Sequence, residues 1–263
     1  MTRLAGLELP GPVLVAAGCG GTGRELEPYG GLGAIGAFVT RSISLDARPG
    51  ADAPRIVETP SGLLHAPGPQ PGLEPFLATE LPALVRSGTR VVVSITGASL
   101  GEHAELARRL ATAPGLAAIE VAVGGEPFQA ASVVAAVVRD LPRGLPVLAK
   151  LRPDLVRVVE TARAVLDAGA AAVVVGDALP AALPDGRPAG LSGPAIRPIS
   201  LRCVTEVHSA LPDADVVGAG GIATTADARS FLAAGAVAVQ VGTALLHDPT
   251  TAARIAAELT EET

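Results

Sequence analysis

Apolar strand-like runs and amphipathic helical patterns alternate along this chain, and that alternation most narrows what it can fold into. The runs fall at residues 13–17, 35–40, 91–95, 118–123, 147–151, 172–175, 215–219 and 237–241. Helical spacing fills residues 72–86, 100–111, 128–140, 155–168, 194–211, 224–234 and 250–261. A strand that returns through a helix lies parallel to the next one. Eight such runs within 263 residues predict an α/β fold, a single (β/α)8 TIM barrel spanning residues 1–263.

Within 100–111, Leu106, Ala107 and Leu110 form the inner stripe, and Glu102, His103 and Arg109 are expected to face outward. The Ala-Gly-Ala triplets at 168–170 and 234–236 read as matching helix ends capped by glycine. The proline-rich stretch 44–72 is too long for an ordinary connection, and such stretches are usually lids or binding loops.

Composition excludes several classes. A net charge of −6 argues against nucleic acid as a partner, and 2% aromatic residues leave little to stack on bases. No apolar run has the length of a membrane span, and no apolar signal segment follows the first four residues, so a cytoplasmic protein is expected. Cys19 and Cys203 make neither a disulfide framework nor a metal or iron–sulphur pattern. No metal is expected.

Two features point to a site. Residues 217–248, VGAGGIATTADARSFLAAGAVAVQVGTALLHD, read as strand, glycine turn, helix, strand and a second glycine turn opening a helix. Two such turns after neighbouring parallel strands aim backbone N–H groups at one point, and the last loops of a barrel commonly bind phosphate there. The second feature is Lys150, the only lysine among 20 basic residues. It lies near the end of the apolar strand 147–151, where a charge is costly unless it meets a ligand or a carboxylate. Its compact ammonium does what the wide guanidinium fork cannot.

These residues bring a family into view. The chain resembles class 1 dihydroorotate dehydrogenase, an FMN-dependent barrel, over nearly its whole length. The segments PVLVAAG (12–18), TRSIS (40–44), PRIVETPSGLL (54–64), GLSGPAIRPISLR (190–202) and residues 217–244 carry the likeness. The resemblance implies FMN as cofactor, with Gly193, Gly220, Gly221, Gly242 and Thr243 forming the phosphate cup beside Ser192. It places Lys150 at the flavin pyrimidine edge and Ala16, Ala17 and Gly18 along the ring. Ser42 and Ser94 fall on the flavin side, Ser94 where the family has asparagine.

The substrate half departs from the family pattern. The family carries N-I-S-C-P-N after its fourth strand, with cysteine as the base. Residues 122–127 are Ala-Val-Gly-Gly-Glu-Pro, so Gly125 stands at the cysteine position and the loop is shortened. Substrate asparagines are replaced by His65, Ala122, Pro127 and Asp177; another is deleted near Gln70-Pro71, and the family lysine after threonine is Arg41. Glycine takes no proton, so His65 or Asp177 is the candidate base. Cys19, beside the expected flavin, admits two readings, a nucleophile or base, or a small packed thiol. Cys203 is expected in the core, His103 and His208 on remote helices, and His247 in a structural position.

The implied activity is transfer of hydride to FMN from dihydroorotate or a related small cyclic substrate. The alternatives are a non-catalytic FMN-binding subunit or pseudoenzyme, and a barrel whose cup holds a substrate's own phosphate. Family members form homodimers, and some pair with an iron–sulphur flavoprotein subunit.

Overall fold

The computed structural model describes residues 1–261. Its eight barrel strands are β1 (Val13–Val15), β2 (Ala37–Val39), β3 (Val91–Ile95), β4 (Leu116–Ala122), β5 (Val147–Leu151), β6 (Ala172–Val175), β7 (Val216–Ala219) and β8 (Ala238–Val241). Each pairs in parallel with its predecessor, and β8 returns to β1 to close the barrel. Every predicted run contains or overlaps one of these strands.

Side chains alternate in direction along a strand, so each strand serves two layers. One set, including Val13, Val15, Phe38, Val91, Val93 and Val147, packs outward against the helices. The other set fills the barrel: Leu14, Val39, Val92, Ala118, Leu148, Val174, Val217 and Ala238. Leu4 and Leu9, from the hairpin Thr2–Leu4 and Leu7–Leu9, pack against this inner cluster. Two residues beyond Val92, Ala118, Leu148 and Ala238, the same inner face carries Ser94, Glu120, Lys150 and Gln240, all buried. Branched apolar residues usually fill such layers. Here the layer nearest the C-terminal ends of the strands is polar.

The helices Leu100–Leu110 and Thr225–Ala233 begin as their sequences dictate. The Ser99 hydroxyl accepts the Glu102 N–H, and Thr224 and Asp227 form a reciprocal capping box. Each cap contributes about 1 kcal/mol. Leu106, Ala107 and Leu110 are buried as predicted. His103 corrects the expectation of an outward side chain, because it is buried. Its Nε2 accepts the Gly97 N–H at 3.1 Å and its Nδ1 lies 2.8 Å from the Ser99 carbonyl oxygen, so it ties down the loop after β3. The predicted helix 72–86 is broken into Leu73–Pro75, a π turn at Phe76–Glu80 and Leu81–Arg86. The predicted helix 155–168 starts at Val158, leaving Leu155 and Val156 exposed.

Residues 44–72 are not the structureless stretch the prolines suggest. They hold the hairpin Ile56–Thr59 and Gly62–His65, which joins Leu179–Ala182 and Pro188–Ser192 in a four-stranded antiparallel sheet. Half of that pairing comes from the loop after β6, which no local periodicity reveals. Gln70 pins the rest of the loop: its Oε1 accepts the Gly72 N–H at 2.8 Å, and its Nε2 donates to the Asp46 carbonyl at 2.8 Å and to the Ser44 hydroxyl. Among the described residues, no helix is long and apolar enough to cross a membrane.

Candidate active site

Three loops meet at the C-terminal ends of β7 and β8. Gly220 and Gly221 follow β7 at positive φ (107° and 74°), and Gly193 (φ 89°) arrives from the loop after β6. A Cβ on Gly221 would stand 2.6 Å from the Gly193 carbonyl oxygen and 2.8 Å from the Arg197 Cβ, so this approach requires glycine. A Cβ on Gly193 would stand 3.4 Å from the Thr243 Cγ2, which brings the turn after β8 into the same cup. The cup is walled by backbone and opens into a cleft of about 970 Å³. Turns of this kind present N–H groups to phosphate.

Below the cup, a narrower cleft of about 110 Å³ enters the barrel mouth. Ala16, Ala17, Lys150, Asp177, Ser192, Gly220, Gly221, Gly242 and Thr243 line it, with His65 and Cys19. Lys150 is held from two sides. Its Nζ donates to Gln240 Oε1 at 2.9 Å and lies 3.5 Å from Glu120 Oε1. Gln240 Nε2 in turn donates to Glu120 Oε2 at 2.7 Å. Burial alone would lower the Lys150 pKa, but the negative charge of Glu120, with Asp177 and Cys19 adding to it, lifts the ammonium above the ordinary lysine value. Lysine has three N–H donors. Gln240 takes one, and Glu120 pairs with the ammonium by charge without a hydrogen bond at its Oε1, which leaves N–H capacity for the cleft.

Burial pushes the Cys19 thiol up to about 11, against the pull of Lys150, so it stays protonated at neutral pH. That removes the thiolate on which a nucleophilic reading depends. His65 moves the other way. Partial burial lowers its pKa below the usual histidine value, and Asp177 only partly opposes this. Its imidazole packs on Gly190, where a Cβ would lie 3.1 Å from Nε2 and 2.7 Å from the Ala178 Cβ, so His65 and the Asp177–Ala178 turn flank one glycine. The Asp177 Oδ1 accepts the Ala178 N–H at 2.8 Å.

A third cleft of about 560 Å³ adjoins the second through Ala17, Cys19, His65, Ser192 and Thr243. Gly18, Arg41, Ser42, Arg48 and Arg55 line it. Arg41 donates to the Pro69 carbonyl at 3.3 Å and lies 3.9 Å from Glu80. Ser94 lines none of these three clefts. It is fully buried behind Ser42, with the two hydroxyl oxygens 2.9 Å apart. Gly125 is exposed and also lines none of the three. Its φ is 82°, and a Cβ there would meet Gln129 Oε1 at 2.3 Å. Cys203 is in the core as expected, His208 packs over Gly235, and His247 is exposed beside the cup.

The predicted residues Lys150, His65, Asp177, Ala16, Ala17, Ser192, Gly220, Gly221, Gly242 and Thr243 thus share one cleft, with Gly193 in the adjoining cup and Gly18 and Ser42 on the outer side. Sequence reasoning missed Glu120 and Gln240. Their signal was available: each is a lone polar residue in an apolar strand, in inward register with Ala118 and Ala238.

The chain matches the dihydroorotate dehydrogenase family over residues 1–263. It is 43% identical over 278 residues to "Dihydroorotate dehydrogenase B (NAD(+)), catalytic subunit" of Desulforudis audaxviator, covering 97% of this chain and 90% of that protein. Proteins of the same name from Pelobacter propionicus and Geobacter sulfurreducens are each 42% identical, covering 97% and 98% of this chain and 90% of theirs. The chain belongs to the dihydroorotate dehydrogenase family.

Proposed function

We propose that residues 1–263 form one FMN-binding barrel that oxidises dihydroorotate or a closely related small cyclic substrate. One observation carries the reading: the sole lysine is buried at the mouth of the barrel, in the cleft that the glycine cup adjoins. The residues present suit FMN. The cup offers backbone to a phosphate, Lys150 offers a free N–H and positive charge to an electron-rich ring edge, and Ala16, Ala17 and Gly18 leave the neighbouring wall without bulk. When bound, FMN supplies the acceptor for the hydride that leaves the substrate.

The chain's own residues do the rest. Lys150 stabilises negative charge arriving in the cleft. His65, held neutral by burial, accepts the substrate proton, with Asp177 as the other candidate. Arg41, Arg48 and Arg55 attract a substrate anion to the outer cleft. The family cysteine is absent at Gly125. Names that specify a catalytic subunit imply a second subunit, and we assign this barrel a partner iron–sulphur flavoprotein, a homodimeric core and a cytoplasmic setting.

Gly125 supports a second reading, a non-catalytic FMN-binding subunit, because its loop brings no reactive side chain to the clefts. The visible spectrum of the purified protein, followed by anaerobic addition of dihydroorotate, separates the two. A yellow protein that bleaches supports oxidation. A yellow protein that stays coloured supports the second reading or another substrate. A colourless protein that takes up no added FMN overturns both.

A further inference from the structure

Glu120 is fully buried in the barrel, and its Oε1 makes no hydrogen bond. A carboxylate in that position is costly unless a cation faces it. The facing cation is Lys150, at 3.5 Å. Gln240 joins the two: its amide oxygen accepts from the ammonium and its amide nitrogen donates to the carboxylate. Both bonds fix the orientation of that amide, since reversing it would place donor against donor and acceptor against acceptor. The three side chains come from β4, β5 and β8, so strands from different parts of the barrel set the position of one nitrogen atom.

We propose that Glu120 and Gln240 are positioning residues for Lys150. Gln240 fixes the direction of the ammonium, and Glu120 tightens its hold on the proton while tempering its field. With Glu120 in place, the buried layer is close to neutral, so a free N–H of Lys150 offers direction more than net charge. The other titratable groups near the ammonium are Asp177 after β6 and Cys19 after β1. Cys19 is protonated at neutral pH and His65, across the same cleft, is shifted towards its neutral form, which leaves Asp177 as the other anion near the ammonium among the described residues.

The effect on a bound flavin rests on the FMN reading; the anchoring of Lys150 does not. The single lysine makes the anchoring directly measurable. Protein labelled with ¹³C,¹⁵N-lysine gives one side-chain signal, whose titration can be followed without cofactor. In Glu120→Gln the titration midpoint of Lys150 falls by about one to three pH units relative to wild type. An unchanged midpoint overturns the proposal. If Glu120→Gln does not fold, Gln240→Met carries the same decision, because loss of the amide acceptor also lowers the midpoint.

In FMN-loaded protein at pH 7, Glu120→Gln leaves Lys150 charged and less compensated, so the flavin midpoint potential rises. A potential that falls or does not move overturns the role of Glu120 in tempering the charge. If neither wild type nor variant takes up FMN, the function proposed above fails, and the lysine titration still decides the anchoring.

Discussion

Gly221→Ala isolates the phosphate cup from the rest of the site. The added methyl would lie 2.6 Å from the Gly193 carbonyl oxygen and 2.8 Å from the Arg197 Cβ, both closer than real Cβ contacts, and φ is 74°. Holding a non-glycine residue in that region costs about 1–2 kcal/mol. The clash is with backbone, so it is relieved only by parting the turn after β7 from the loop that carries Gly193. Parting them moves at least one N–H out of reach of the phosphate, and a hydrogen bond to a charged group contributes about 1.5–3 kcal/mol. FMN binding should weaken roughly 10- to 150-fold. Riboflavin, which has the ring but no phosphate, provides the control. Quenching of flavin fluorescence gives the dissociation constant of each ligand for wild type and variant. FMN affinity should fall while riboflavin affinity holds within about twofold. Equal weakening of both ligands, or unchanged FMN binding, would refute the assignment of the cup.

Other consequences follow from the same geometry. Lys150→Met should slow anaerobic flavin reduction by about 10²-fold, the scale of losing one preorganised charge donor, and a rate within threefold of wild type in stopped-flow would remove Lys150 from the chemistry. Burial lowers the His65 pKa below its ordinary 6.5, so turnover should hold at that pH and fall only as pH drops through the lower folded-state value, and this acidic limb should vanish or shift in His65→Asn. Its lowered pKa also contributes stability that is present above 6.5 and lost as pH falls through the folded-state value, which urea melts across pH 5–7 would register. The raised Cys19 pKa contributes stability that is present below 9.0 and lost as pH rises towards about 11, so Cys19→Ser should flatten the alkaline fall in stability. Gly125→Cys should leave turnover within about tenfold of wild type and destabilise the fold by about 1–2 kcal/mol, because the site needs positive φ and already abuts Gln129. A large gain in turnover would show that this loop can still present a base.

The barrel was legible in the chain because its signals are local. Each strand is a short apolar run such as VVVSI or AVVV, and the turns after β6 and β7 place Gly176, Gly220 and Gly221 at positive φ. The phosphate end was legible for the same reason, since Gly220, Gly221, Gly242 and Thr243 sit immediately after their strands. Features made by distant partners were not. Lys150 stood out by its rarity, but its buried carboxylate and amide partners lie on β4 and β8, and only the closed register brings the three together. His103 was misjudged because helical periodicity registers only the helix's own faces, whereas the Gly97 N–H that recruits the ring lies upstream of the helix.

The hairpin that carries His65 completes its sheet only by pairing Leu63 with Ser192 and His65 with Gly190. During synthesis, six barrel strands are made before that partner exists. Until then the edge of Gly62–His65 is an open row of backbone donors and acceptors, a hazard for mispairing that folded proteins usually cover. The wall containing His65, Ser192 and Asp177 is therefore among the last parts of the molecule to assemble. A chain stopped just before β7 would have six of the eight barrel strands and neither half of the phosphate cup that β7 and β8 supply. Ligand capture thus reports that β7, β8 and their turns have been made, and a product ending before them lacks the cup.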